Sequence, residues 1–227
     1  MNSQLDHPYV AVKAALLPSS SAVESALRLA DYAHVNQTRR EYGLHAPVPY
    51  IAHPLRNAYL VWSWTNAHLH DTCVTELVAA SLLHDTVEDA PERIQEFYTS
   101  DRDPLALLRS NFGPRVADIV RRVTVPSALG ECGVSDRNVT YLEHLIAEIA
   151  PDEGALITKA ADLVDNAGSL WRSPLSPARV TRLARKYTEA VHALAENAGV
   201  IQDHRVRTAV EERLRRLDAT LGELTGV

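Results

Sequence analysis

Ser81-Leu82-Leu83-His84-Asp85-Thr86-Val87-Glu88-Asp89 is the stretch on which the reading of this chain turns. His84 stands four residues before Glu88, and Asp85 stands three before Glu88 and four before Asp89. Helical spacing therefore lays all four polar side chains along one side. The residues just before them, Leu77 to Leu83, are mostly apolar, so the acidic group enters a helix that starts out buried. Three neighbouring carboxylates repel one another, and burial raises the cost of their charge. A bound divalent cation is the simplest thing that offsets both effects. A plainer reading makes Asp85, Glu88 and Asp89 the decoration of a helix C-terminus, but that sets negative charge against the negative end of the helix dipole.

Helical signals extend outward from this stretch in both directions. Asp71 or Thr72 is the expected cap of a helix running to about Glu88. Upstream, Ser21-Ala22-Val23-Glu24 has the form of a capping box. The helix it opens, to about Gln37, places Val23, Leu27, Ala30 and His34 near one face. Pro54 suits the first turn of another helix, reaching about Ala67, and Pro91, Pro104 and Pro114 suit the starts of three shorter ones. Segment 124–134 reads as a loop, followed by helices at about 136–149, 153–167, 177–198 and 204–224. Strand signals are scarce: Val120–Val125 is β-branched, but no alternating series with hairpin turns follows. The expected fold class is all-α, a single domain preceded by a loosely attached arm over residues 1–20. The arginines of the last helix, Arg205, Arg207, Arg213, Arg215 and Arg216, read as a solvated amphipathic face.

Composition narrows the functional classes. The chain has 227 residues, 23 Lys+Arg against 29 Asp+Glu, and a formal net charge of −6. No global positive field would draw in DNA or RNA. A phosphate-rich small molecule would need local cations or a metal, and the basic residues are 20 Arg to 3 Lys, the better bidentate phosphate partner. Only Cys73 and Cys132 occur, far apart, which disfavours a disulfide scaffold or thiolate zinc site and suits a reduced, cytoplasmic setting. No apolar run approaches the ~18–20 residues of a membrane span, and no signal peptide is evident.

Two further elements offer metal ligands. Tyr50-Ile51-Ala52-His53-Pro54 sets a histidine just before a helix-initiating proline. Lys159-Ala160-Ala161-Asp162-Leu163-Val164-Asp165-Asn166 sets Asp162 and Asn166 on one helix face. Each alone is commonly an N-cap histidine or a polar face. Together, His53, His84, Asp85 and Asp162 make a two-His, two-Asp set for a divalent ion with positions open to water, Mn²⁺ or Fe²⁺ rather than structural zinc.

These pieces, taken in order, resemble the HD-domain hydrolases of the RelA/SpoT alarmone family, and in particular its small hydrolase-only members. Ala33-His34-Val35-Asn36-Gln37-Thr38-Arg39-Arg40 resembles A-H-x-G/N-Q-x-R-K/R, and Pro49 to Pro54 is similar to P-Y-I-x-H-P. Leu82 to Asp89 resembles L-L-H-D-T/V-V/I-E-D. Phe112 to Ala117 with Val123-Thr124 resembles F-G-x-x-V-A and V-T, and Lys159 to Asn166 is similar to K-L-A-D-R/K-L-H/Y-N. The resemblance implies a single HD-domain helical bundle over 21–200, with a C-terminal helix over 201–227 packed on it. It implies one Mn²⁺ (other divalent transition metals being possible) on His53, His84, Asp85 and Asp162. It makes Glu88 and Asp89 the catalytic acidic pair and Asn166 an active-site residue, and puts Arg39 and Arg40 near the nucleotide; Lys159 is a further candidate for meeting the pyrophosphate charge. The implied reaction removes the 3′-pyrophosphate from ppGpp or pppGpp.

Departures from the pattern bear on substrate choice. Leu163 stands where a basic residue is usual and Asp165 where His or Tyr is usual, while Glu41 to Val48 makes a longer link than usual. Asp165 and that link are candidates to line the nucleoside pocket, so an adenine analogue such as ppApp is a live substrate. The alternatives are an HD phosphohydrolase of another nucleotide, for instance an NADPH phosphatase, and a non-catalytic alarmone sensor. Expected partners are the small phosphorylated nucleotide and a functional pairing with an alarmone synthetase whose product is destroyed, with a homo-oligomer left open; no membrane or nucleic acid is expected.

Overall fold

Two helices buried on almost every side organise the chain, each at the centre of its own compact unit, one spanning Met1–Thr124 and the other Val125–Val227. The computed structural model describes residues 10–11, 14–15, 17–39, 47–125, 134–168, 170–172 and 175–226. Most of the arm read over 1–20 and most of the loop read over 124–134 lie outside the described residues, as does Cys132.

In the first unit the central helix is α3 (Asp71–Leu83); α1 (Ser21–Ala33), α2 (Ala52–Thr65) and α6 (Pro104–Val123) pack around it. Every residue from Leu77 to Leu83 is buried. A helix apolar on all faces is stable only when neighbours cover it all round. α4 (Thr86–Asp89) and α5 (Pro91–Phe97) follow α3 directly.

Several boundaries differ from the sequence expectation. The N-cap of α1 is Ser20, whose Oγ accepts from the Val23 N–H at 3.2 Å, rather than Ser21. The cap of α3 is His70, which accepts from the Thr72 N–H, rather than Asp71 or Thr72. α1 ends at Ala33, not near Gln37, because the chain turns through Asn36 at φ 69° into a short antiparallel ladder. There β1 (Thr38–Arg39) pairs with β2 (Val48–Pro49), Thr38 opposite Pro49 and Arg39 opposite Val48. The stripe buried on α1 is Val23, Ala26, Leu29, Ala30 and Ala33, with Leu27 only half-buried. Pro91 and Pro104 both open helices as expected. Pro114 opens a helical segment behind a break at Gly113 (φ 90°, ψ 166°) inside α6, and the β-branched run from Val120 is the end of that helix.

The second unit is built on α8 (Glu153–Ala167), buried at every position from Gly154 to Val164 and packed against α9 (Pro177–Glu196) and α10 (His204–Thr225). The Asp152 carboxylate caps α8 by accepting from the Ala155 N–H at 2.9 Å. α7 (Val134–His144) widens into a π-helical turn over Leu145–Ile149, where the Ala150 N–H reaches back to the Leu145 carbonyl at 2.8 Å. On α10, Val206, Val210, Leu214, Leu217 and Leu221 form the buried stripe and leave most of the arginines on the solvated face. The fold is all-α apart from the one two-stranded ladder among the described residues.

Candidate metal centre

α3 does not run on to Glu88. It stops at Leu83, and His84 and Asp85 form a turn before the single turn of α4. The break is where the chemistry concentrates. The His84 ring is buried, and its Nδ1 lies 2.8 Å from the Ser81 carbonyl oxygen. A carbonyl can only accept, so Nδ1 carries the hydrogen and a neutral His84 turns its Nε2 lone pair the other way. That Nε2 stands 3.0 Å from Asp85 Oδ1.

His53, on the first turn of α2 and 1% exposed, brings its Nε2 to 3.4 Å from Asp85 Oδ2. The Tyr50 hydroxyl donates to the same Oδ2 at 2.7 Å. Two imidazole nitrogens thus face two carboxylate oxygens in a buried setting, and for His84 this sets a lone pair against an anion. Only a proton or a cation between them makes the arrangement favourable. Imidazole and carboxylate donors converging in this way suit a divalent transition ion, so the His53, His84 and Asp85 set fits such a metal.

The Asp85 carboxyl feels burial, which works to raise its pKa. With a proton rather than an ion between them, the charge of His84 and the hydrogen bonds from His53 and His84 outweigh burial and hold the Asp85 carboxyl well below the usual carboxylate range. Asp89 is exposed by area, yet partial desolvation, with the Asp85 charge added, raises its carboxyl. Glu88 is exposed beside it.

Residues given no role from sequence surround this cluster. Rings run in a row, with centroids 4.7 Å apart for His34 and Tyr50, 5.8 Å for Tyr50 and His53, and 5.1 Å for His53 and His84. His34 is fully buried and its Nδ1 pairs with Gln37 Oε1 at 2.9 Å. Burial lowers its pKa. Asn57, fully buried on α2, brings its Nδ2 to 3.4 Å from the Nε2 of both His53 and His84. A polar residue four positions after His53, in a helix otherwise apolar on that side, was the available signal for it. Arg39 on β1 lies with its guanidinium carbon 5.9 Å from the centre of the Tyr50 ring. Arg40 lies outside the described residues.

In the second unit Asp162 is buried on α8, its two oxygens held by donors on its own helix. Lys159 Nζ donates to Oδ2 at 2.8 Å and Asn166 Nδ2 to Oδ1 at 2.5 Å. Lys159 is itself buried, with Nζ 5.6 Å from the centre of the Tyr141 ring. Asp165 is half-buried.

The chain resembles known proteins over most of its length. It is 33% identical over 197 residues to a probable GTP pyrophosphokinase of Mycobacterium leprae, covering 85% of this chain and 21% of that protein. It is 26% identical over 178 residues to a guanosine-3′,5′-bis(diphosphate) 3′-pyrophosphohydrolase of Spiroplasma citri, covering 78% and 20%. It is 27% identical over 180 residues to the bifunctional (p)ppGpp synthase/hydrolase SpoT of Escherichia coli, covering 79% and 22%. The chain spans about a fifth of the length of these curated relatives. No family model matches it. At the level of the family, the similarity is to (p)ppGpp hydrolases of the SpoT/RelA kind. No helix among the described residues is long and apolar enough to cross a membrane.

Proposed function

We propose that this chain is a metal-dependent pyrophosphohydrolase that removes the 3′-pyrophosphate from ppGpp, pppGpp or a close analogue such as ppApp. The observation that carries the reading is the convergence of His53, His84 and Asp85, whose two imidazole nitrogens face one carboxylate and suit a divalent cation between them. Similarity to proteins named as 3′-pyrophosphohydrolases supports it.

In this reading His53, His84, Asp85 and Asp162 would hold one ion, Mn²⁺ or another divalent transition metal. When bound, the ion supplies Lewis acidity toward a water and a pyrophosphate oxygen. Tyr50 fixes the Asp85 carboxylate, and Lys159 and Asn166 fix that of Asp162. Glu88, exposed on the single turn of α4, orients or deprotonates the attacking water, with Asn166 as second partner and Asp89 passing the proton on. Arg39, Arg40 and Lys159 meet the charge that develops on the pyrophosphate, and Asp165 faces the nucleoside.

The test incubates Mn²⁺-loaded protein with ppGpp, pppGpp, ppApp and NADPH, beside an EDTA-treated control, and identifies products by chromatography. Turnover of none of them sinks the reading, and phosphate release from NADPH alone reassigns the substrate. Asp85→Ala should lose metal and hydrolysis together. Glu88→Ala should keep the metal and lose turnover by roughly 10²–10⁴-fold; full activity there removes Glu88 from the catalytic role.

A further inference from the structure

Among the buried polar groups of the first unit that lack a hydrogen-bond partner, Asn57 is the one that lies against both His53 and His84. It is fully buried in α2, among apolar neighbours on its own helix such as Leu55, Ala58 and Val61. Its carbonyl oxygen Oδ1 has no hydrogen-bond partner. Its Nδ2 lies 3.4 Å from His53 Nε2 and 3.4 Å from His84 Nε2, equidistant from the two nitrogens that face Asp85. A buried amide with an orphaned acceptor, making only long, shared contacts, is an unfavourable residue at a purely structural position.

The distances suggest what it is for. Around an octahedral ion with bonds of about 2.1 Å, neighbouring ligand atoms lie about 3 Å apart. The 3.4 Å from the Asn57 amide to each imidazole Nε2 is close to that spacing, as is the 3.0 Å between His84 Nε2 and Asp85 Oδ1. Without an ion, the amide N–H groups face the imidazole nitrogens. With a cation between the histidines, those N–H groups would point at positive charge. A half-turn of the carboxamide exchanges Nδ2 for Oδ1 without displacing the chain, and presents an oxygen acceptor in the same place.

We propose that Asn57 is a further ligand of the metal centre, giving its side-chain Oδ1 to the ion beside His53 and His84. The proposal rests on reading those two histidines as metal ligands. Asn57 then has two settings: amide nitrogen toward the imidazoles in the free protein, and amide oxygen toward the ion in the loaded one. The neutral oxygen adds a ligand without adding negative charge to an already acidic cluster.

The experiment measures Mn²⁺ affinity of the full chain by competition with a chromophoric chelator, and the visible absorption of the Co²⁺-substituted protein. Wild type, Asn57→Val and Asn57→Asp are compared, with circular dichroism of each as the check on folding. Asn57→Val, near in size but with no donor oxygen, should weaken Mn²⁺ binding by roughly 10–100-fold and alter the Co²⁺ spectrum. Asn57→Asp, which restores an oxygen at the same position, should bind within a few-fold of wild type or more tightly. Equal affinity and an unchanged Co²⁺ spectrum in folded Asn57→Val overturn the proposal. If Asn57→Val does not fold, Asn57→Asp decides alone: a weakened affinity there overturns it, and a retained or tightened one supports it. Failure of wild type to bind one equivalent of Mn²⁺ would instead overturn the metal reading beneath it.

Discussion

Tyr50 shows how a residue with no ligand atom of its own governs a metal centre. Its hydroxyl donates to Asp85 Oδ2 at 2.7 Å, so the carboxylate is held before any ion arrives. Burial, with the negative charge of Asp85 beside it, raises the phenol pKa, so the hydroxyl remains a donor throughout the neutral range. Tyr50→Phe should therefore weaken Mn²⁺ affinity by about 10–100-fold, the usual cost of losing a ligand's own hydrogen-bond partner; competition dialysis reads it, and unchanged affinity refutes it. His34 makes a prediction in pH. Burial depresses its pKa from the ordinary 6.5, so the unfolded chain takes up the proton first. The stability that neutral His34 contributes is present above about pH 6.5 and is lost as pH falls below it. Urea unfolding across that range should show a shallower pH dependence for His34→Phe than for wild type; identical slopes would mean that His34 does not titrate with unfolding.

At the scale of elements, helix ends place the chemistry. α3 is buried along its last seven residues and stops at Leu83, so His84 and Asp85 emerge at the edge of the core, where a polar cluster can form without being wholly sealed. α2 begins beside them, and its first turn carries His53 with Asn57 one turn on. The β1–β2 ladder pins the chain on either side of residues 40–46, and the Tyr50 N–H donates to the Gln37 carbonyl at 2.9 Å, which fixes the approach of the Tyr50 ring. α6 depends on Gly113, whose φ of 90° and ψ of 166° L side chains rarely adopt. Nothing lies within 4 Å of a Cβ placed there, so the cost of Gly113→Ala is conformational rather than steric. Chemical denaturation should find it destabilised by about 1–3 kcal/mol. A neutral result would show that the break relaxes into continuous helix.

At the scale of the molecule, the proposed ion binds the folded chain and not the unfolded one, so metal binding should act on stability. A ligand bound only by the folded state at 100 times its dissociation constant adds about 2.7 kcal/mol. Mn²⁺ titration should therefore raise the thermal midpoint, EDTA should reverse the rise, and Asp85→Ala should show none. A midpoint that does not respond to Mn²⁺ in wild type would count against a site linked to folding.

The sequence by itself determined the helical class and most helix positions within a few residues, and it marked His53, His84 and Asp85 as candidate ligands without showing that they meet. Periodicity and proline placement are local signals, and His84 and Asp85 are chain neighbours whose chemistry shows in their spacing. The caps at Ser20 and His70 slipped by a residue or so because several adjacent polar side chains can serve, and only backbone geometry selects one. The end of α3 at Leu83, the ladder at Thr38 and Arg39, and the roles of Tyr50, His34 and Asn57 were decided by tertiary structure. Each depends on groups distant in sequence: the Tyr50 hydroxyl meets a carboxylate 35 residues away, and the Asn57 amide an imidazole 27 residues away. The place of Asn57 one turn after His53 hints at a polar role, but neither residue's partner shows in the sequence, because burial and pairing are properties of the packed chain.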